Sequence, residues 1–174
     1  MNFIDFITQD WSANSRNTKG KLIAILFRIA NWSSERRVIR LVLFPYFVFY
    51  RLAVEWILGI EIPHNLVVGK GLKIYHGQAL VIHKRTVIGK NCVLRQSTTI
   101  GNNGKTTECP IISDYVNIGA NVCLIGAIVI GKHVTIGAGS IVTKSLPDYA
   151  VAVGNPARII RYDIPQTAEL MEAL

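Results

Sequence analysis

Between residues 62 and 147 an aliphatic side chain returns at every sixth position, often followed directly by Gly. The hexads open at Ile62, Val68, Ile74 and Leu80, resume after a two-residue slip at Ile88, Leu94 and Ile100, and continue at Ile112, Ile118, Leu124, Ile130, Ile136 and Val142. A second small or aliphatic residue fills the fifth place, as at Leu66, Leu72, Cys92, Val116, Val122, Val134 and Ser140. Two positions in six therefore turn inward. Neither an amphipathic helix nor the two-residue alternation of a sandwich strand has that period. It predicts a mainly β chain, a parallel β-helix of hexapeptide repeats in which each short strand buries one large side chain before turning a corner. Successive coils stack about 4.8 Å apart, and like residues form ladders down the interior.

Residues 1–59 have another texture. Leu22, Ile25, Leu26 and Ile29 form a helical stripe within Lys19–Trp32. Val38–Ile60 is more apolar still, with Pro45 suited to the first turn of a helix running to about Leu58. Its longest uncharged run, Leu41–Tyr50, falls short of the roughly 20 apolar residues that span a bilayer. Two roles fit this segment: packing on the coil or a partner subunit, or a monotopic face resting on the inner membrane with Tyr46, Tyr50 and Trp56 near the headgroups. The expected organisation is a helical segment over 1–59, a β-helix domain over 60–160 and a tail over 161–174.

Composition narrows the partners. Half of the 174 residues are hydrophobic, which points to oligomerisation. The formal net charge of +8 favours phosphate-bearing cofactors, nucleotide- or lipid-linked substrates, or a membrane surface. Nucleic acid is set aside, because no zinc-finger spacing, helix-turn-helix or aromatic RNA-binding signature occurs. Cys92, Cys109 and Cys123 are odd in number and scattered, and Met1–Trp11 lacks the basic-then-apolar order of a signal peptide, so a reduced, cytoplasmic chain is expected.

Candidate chemistry gathers where the rhythm breaks. His76 interrupts the ladder beside Gly77, where an imidazole could take a hydroxyl proton near pH 7. Glu61 lies fifteen residues upstream, on a nearby rung. His64 sits at the first corner, and His133 takes a solvent-facing hexad position. From Asn102 to Pro110 no inward aliphatic is supplied, although Ile100 and Ile112 stay twelve apart, so this stretch is expected to leave the coil as a loop. Its Gly104-Lys105-Thr106 imitates a phosphate loop, but the earlier Gly such a loop needs would fall at Thr99. The four histidines lack the spacing of a zinc site, and no metal is expected.

The coil, the Glu61-to-His76 interval, the interrupting loop and the ending Val153-Gly154-Asn155-Pro156-Ala157-Arg158 together resemble the serine acetyltransferase-like branch of the left-handed β-helix acyltransferases. Over roughly residues 38 to 162 the chain is most similar to the colanic-acid and capsular-polysaccharide O-acetyltransferases. The resemblance implies a left-handed coil, a homotrimer with sites between subunits, and acetyl-CoA as donor. It implies His76 as general base, oriented by Glu61 where relatives normally carry Asp. It also implies an Asn102 backbone donor at the thioester carbonyl, and Ala120 and Ala138 along the pantetheine arm. Asn155, Pro156 and Arg158 fall at the adenine and phosphate end, while Asn103, Gly104, Lys105 and Cys109 form the acceptor loop.

One departure bears on the acceptor. Serine acetyltransferases carry a His before Pro in that loop, and here the position is Cys109. A sugar hydroxyl of a capsular or exopolysaccharide, or of its precursor, is therefore the expected acceptor. Serine O-acetylation and a non-catalytic scaffold in polysaccharide assembly are the alternatives.

Overall fold

A computed structural model of the chain describes residues 2–34 and 36–165. The six-residue period folds into short parallel strands stacked on the three faces of a triangular prism, about five coils tall. The first face holds Ile60–Glu61, Leu80–Ile82, Thr99–Gly101, Cys123–Ile125 and Ile141–Val142. Val67–Val68, Val87–Ile88, Ile111–Ile112 and Val129–Ile130 form the second; Lys73–Tyr75, Val93–Arg95, Asn117–Ile118, Thr135–Ile136 and Ala150–Gly154 form the third. An antiparallel strand, Ala157–Tyr162, pairs with the last of these. The architecture is the expected left-handed parallel β-helix preceded by helices. Of the tail expected over 161–174, residues 166–174 lie outside the described residues.

Register explains the core. Ile82, Ile100, Leu124 and Val142 align on consecutive rungs and are all buried, so one aliphatic ladder runs up the first face. Leu80 is not a hexad opener, as the periodicity alone suggests. It pairs with Ile60, which makes Ile82 the opener and moves the two extra residues back into the corner between Tyr75 and Leu80. A period counts surplus residues without locating them, and both Leu80 and Ile82 are aliphatic and buried. The corrected register puts the surplus at His76 and Gly77, both at positive φ, 64° and 80°. Residues 103–108 are exposed while Ile112 keeps its rung beside Ile88, so the expected loop does leave the coil. His133 faces solvent, its ring stacked between Tyr115 and Tyr149 with centroids 4.7 and 5.1 Å away.

Four helices precede the coil: α1 (Phe3–Thr8), α2 (Thr18–Ser34), α3 (Arg37–Val42) and α4 (Phe44–Tyr50). Pro45 lies in the first turn of α4, as expected, and the helix runs on as a π-helical segment over Arg51–Ile57. The face that α2 buries differs from the one read from the sequence. Ile23, Ala24, Phe27 and Ala30 are buried, whereas Leu22 is exposed and Ile25, Leu26 and Ile29 are only partly covered. The cause is Gly20: a Cβ there would stand 2.6 Å from the Ile74 carbonyl oxygen, so glycine lets that side of α2 come down onto the coil.

Polar side chains of α2, α4 and the turn between α1 and α2 serve the first coil as a neighbouring strand would. Arg28 donates to the Val68 and Gly69 carbonyls at 2.9 and 2.6 Å, and Asp10 accepts from the Gly71 and Leu72 N–H groups at 2.8 and 2.9 Å. Asn14 donates to Leu72 O and accepts from Ile74 N–H, and Asn17 donates to Ile74 O. Asn31 reaches the His64 and Leu66 carbonyls, and the Tyr50 hydroxyl donates to Ile62 O. Asp10 and Arg28 also pair with each other at 2.8 Å, both 1% exposed.

The other side of α3, α4 and the π-helical segment is bare. Leu41, Trp56 and Ile57 are 79, 74 and 80% exposed, with Val38, Phe44 and Phe49 around them. No helix among the described residues is long and apolar enough to cross a membrane.

Candidate active site

The candidate residues fall on two edges of the prism. Along the edge between the third and first faces, Gln78, Gln96, Ala120 and Ala138 stand one above another. Their carbonyls or flanking N–H groups join successive rungs: Ser97 N–H to Gln78 O, Asn121 N–H to Gln96 O and Gly139 N–H to Ala120 O, at 2.8 to 3.0 Å. His76 occupies the widened corner at the foot of this edge and is exposed. At its head the Gly154–Ala157 turn docks through Gly154 N–H to Ser140 Oγ, 3.1 Å, and carries Asn155, Pro156 and Arg158 outside the coil. On the upper rungs the edge carries Ala120 with the exposed Asn121, then Ala138 with Gly139, and a Cβ on Gly139 would meet nothing within 4 Å. An extended pantetheine-like arm fits such a strip, with backbone groups beside it and a guanidinium at its end for phosphate.

The edge between the first and second faces carries the rest. A cleft of about 940 Å³ runs from α4 and the π-helical segment across the outer surface of the first face, past Glu61, His64, His83 and Lys84 to Asn102. The loop beyond is shaped by its own side chains. Asn102 Oδ1 accepts from Gly104 N–H at 3.1 Å, and Asn103 Oδ1 accepts from Lys105 and Thr106 N–H at 3.0 and 3.1 Å. The Asn102 N–H itself finds no acceptor among the described residues. Lys105 stands in solvent, whereas Cys109 turns inward, 7% exposed.

Glu61 lies on the face between the edges, paired with Val81 and so two residues past the Gly59–Ala79 rung. It makes no hydrogen bond to His76, and His76 does not line the cleft. From Ala79 to Lys84 is about five residues of strand, roughly 16 Å. A single chain thus separates His76, Ala120, Ala138 and the 155–158 turn from Asn102 and the loop.

Sequence reasoning missed His83. Its Nδ1 stands 3.0 Å from Cys109 Sγ, across 26 residues of chain, and also accepts from Arg85 N–H at 3.2 Å. With the slip misplaced, nothing in the periodicity marked position 83 as the residue that turns the corner under the loop. Electrostatics in the cleft follow burial. Desolvation, reinforced by Arg40, lowers the pKa of His64, whose ring packs edge-on to Phe47 at 5.0 Å. Desolvation raises Glu55, opposed by Arg51 at 3.3 Å and assisted by Glu61. Burial likewise raises the Cys109 thiol, with Arg85 acting the other way. Among the described residues no three His, Cys, Asp or Glu side chains converge as metal ligands.

No protein-family model matches the chain. Over 156 residues it is 37% identical to the putative colanic acid biosynthesis acetyltransferase WcaB of Escherichia coli (strain K12), covering 87% of this chain and 96% of that protein. It is 37% identical over 163 residues to serine acetyltransferase 3, mitochondrial, of Arabidopsis thaliana, which takes in 90% of this chain and 39% of the plant protein. Among solved structures, a serine acetyltransferase in complex with CoA matches with a TM-score of 0.76 at 25% identity, over 91% of this chain and 69% of the other.

Proposed function

The chain belongs to the left-handed β-helix acetyltransferases, the family of the colanic acid and serine acetyltransferases, and we propose that it moves an acetyl group from acetyl-CoA to a sugar hydroxyl of a capsular or exopolysaccharide or its precursor. The observation that carries this reading is the match to a colanic acid acetyltransferase over nearly that protein's whole length. The loop supports it. Before Pro110, where the resemblance calls for a histidine that holds an amino-acid acceptor, stands a buried thiol that cannot carry positive charge.

His76 takes the proton of the acceptor hydroxyl as that oxygen attacks the thioester carbonyl. The tetrahedral intermediate collapses with loss of the CoA thiolate, and the imidazolium returns the proton to sulfur. Glu61, which makes no hydrogen bond to His76 within one chain, stabilises the imidazolium through its charge on the adjoining face, and the free Asn102 N–H of a neighbouring chain donates to the oxyanion. Both substrates occupy the site together, so no acetyl-enzyme is needed. Ala120 and Ala138 flank the pantetheine arm, and Asn155, Pro156 and Arg158 hold the nucleotide end. Because the two halves lie on different edges, the working unit is a homotrimer, with the His76 edge of one chain set against the loop edge of the next by threefold closure.

Thiol release from acetyl-CoA, measured with a panel of neutral methyl glycosides, oligosaccharide repeats and L-serine, tests the acceptor. Glycans are expected to turn over faster than serine at equal concentration. Serine acetylated as efficiently as any glycan offered would defeat the reading and favour serine O-acetylation.

The bare apolar side of α3, α4 and the π-helical segment is flanked by exposed Arg36, Arg40 and Arg51. That pairing of aromatic and aliphatic bulk with positive charge suits the surface of an anionic bilayer, so the enzyme works in the cytoplasm as a peripheral inner-membrane protein. Cosedimentation with vesicles containing phosphatidylglycerol, and loss of it in Trp56→Glu, is the expected outcome. Equal recovery of both proteins in the supernatant would place this face against protein instead.

A further inference from the structure

The residue that sequence reasoning missed carries a specificity of its own. His83 lines the cleft, and its Nδ1 receives the Arg85 backbone N–H at 3.2 Å while lying 3.0 Å from Cys109 Sγ. A neutral imidazole has one donor and one acceptor nitrogen. Since Nδ1 faces an N–H, it must be the acceptor, and the ring proton sits on Nε2. Cys109 reinforces this. Its thiol is 7% exposed, burial holds it protonated, and its other acceptor, the Thr107 carbonyl, lies at 4.0 Å. The S–H therefore also points at Nδ1. Nε2–H finds no acceptor among the described residues, in a cleft that also presents Glu61, Lys84 and Asn102.

We infer that His83, fixed as the Nε2–H tautomer by Arg85 N–H and the Cys109 thiol, is the hydrogen-bond donor that positions a neutral oxygen of the acceptor sugar in the cleft. This rests on the reading under Proposed function and adds what selects the acceptor: a neutral, directional donor suits a hydroxyl or ring oxygen. Cys109 then acts through His83, as a positioning residue.

The test combines kinetics and spectroscopy on the intact protein, with neutral methyl glycosides as acceptor probes. His83→Leu should raise the acceptor KM about tenfold, the worth of one well-placed hydrogen bond, with kcat and acetyl-CoA affinity nearly unchanged. Gln carries an amide N–H at the reach of Nε2, so His83→Gln should recover most of the loss. Asn reaches only the Nδ1 position, so His83→Asn should not. Cys109→Ser keeps a donor to Nδ1 and should leave the His83 tautomer as it is, read as a bare Nδ1 in the same spectra. Two-bond 15N–1H correlations of the wild-type protein, assigned by the signal that vanishes in His83→Gln, should show a protonated Nε2 and a bare Nδ1.

A protonated Nδ1 would overturn the inference, as would a kcat loss in His83→Leu with acceptor KM unmoved, or His83→Gln as impaired as His83→Leu. An acetylated Cys109 peptide trapped by rapid quenching would overturn it too, by making the thiol a nucleophile. Wild-type protein that acetylates no glycoside would defeat the proposed function itself, a result distinct from active wild type with an indifferent His83→Leu.

Discussion

His76→Ala is expected to slow acetyl transfer by about 10² to 10⁴-fold, the usual contribution of a positioned general base. Acetyl-CoA should bind the variant almost as well as wild type, because the strip of Ala120 and Ala138 and the turn bearing Arg158 lie farther up the same edge. The loss should fall on kcat, since a proton transfer made only in the transition state leaves ground-state binding alone. The widened corner gives the reason for choosing this histidine. His76 and Gly77 are the two residues by which this corner exceeds the ordinary hexad spacing, and the imidazole stands exposed there at the foot of the strip. Steady-state thiol release and calorimetric titration with acetyl-CoA measure the two quantities. Turnover equal to wild type would remove His76 from the chemistry.

Asp10→Ala is expected to cost about 3–5 kcal/mol of stability, the range for stripping one partner from a buried ion pair. The substitution leaves the Arg28 guanidinium buried without its counter-charge and orphans the Gly71 and Leu72 N–H groups. For a chain of this length that corresponds to a fall of roughly 6–20 °C in Tm. Asp10→Asn keeps an acceptor for the backbone but loses the charge, and should fall between. Thermal unfolding followed by circular dichroism decides. An Asp10→Ala midpoint within a degree of wild type would mean that the helices contribute little to holding the first coil.

The period of the coil was legible because every rung repeats the same demand, one aliphatic inward at the opener and another small residue at the fifth place. The extruded loop was legible for the complementary reason, since Asn102–Cys109 offers nothing for those two places. Single departures were harder. Leu80 and Ile82 both satisfy the opener's chemistry, and only pairing with Ile60 and Ile100 distinguishes them. The buried face of α2 was misread because its hydrophobic residues surround much of the helix, and the deciding residue, Gly20, has no side chain to weigh. Asp10, Asn14, Asn17 and Arg28 look like solvent residues in the sequence. Their partners are backbone groups some forty to sixty positions away, which no local pattern reveals. His83 and Cys109 were hidden likewise, by a contact that exists only once the loop has left the coil and returned.

The polar side chains beneath the first coil also decide how large this structure can grow. A parallel coil is a template at each open end: an uncovered rung offers unpaired N–H and C=O groups in the spacing that another chain's rung requires, and end-to-end stacking would continue into a fibre. Here Asp10, Asn14, Asn17, Arg28 and Asn31 already occupy those groups in the lowest rung. At the top, the third face ends in a strand of reversed direction, which a further parallel coil could not extend in register. A chain brought ceiling to floor meets backbone groups already taken in the lowest rung and a reversed strand on the third face, and both oppose growth along the axis.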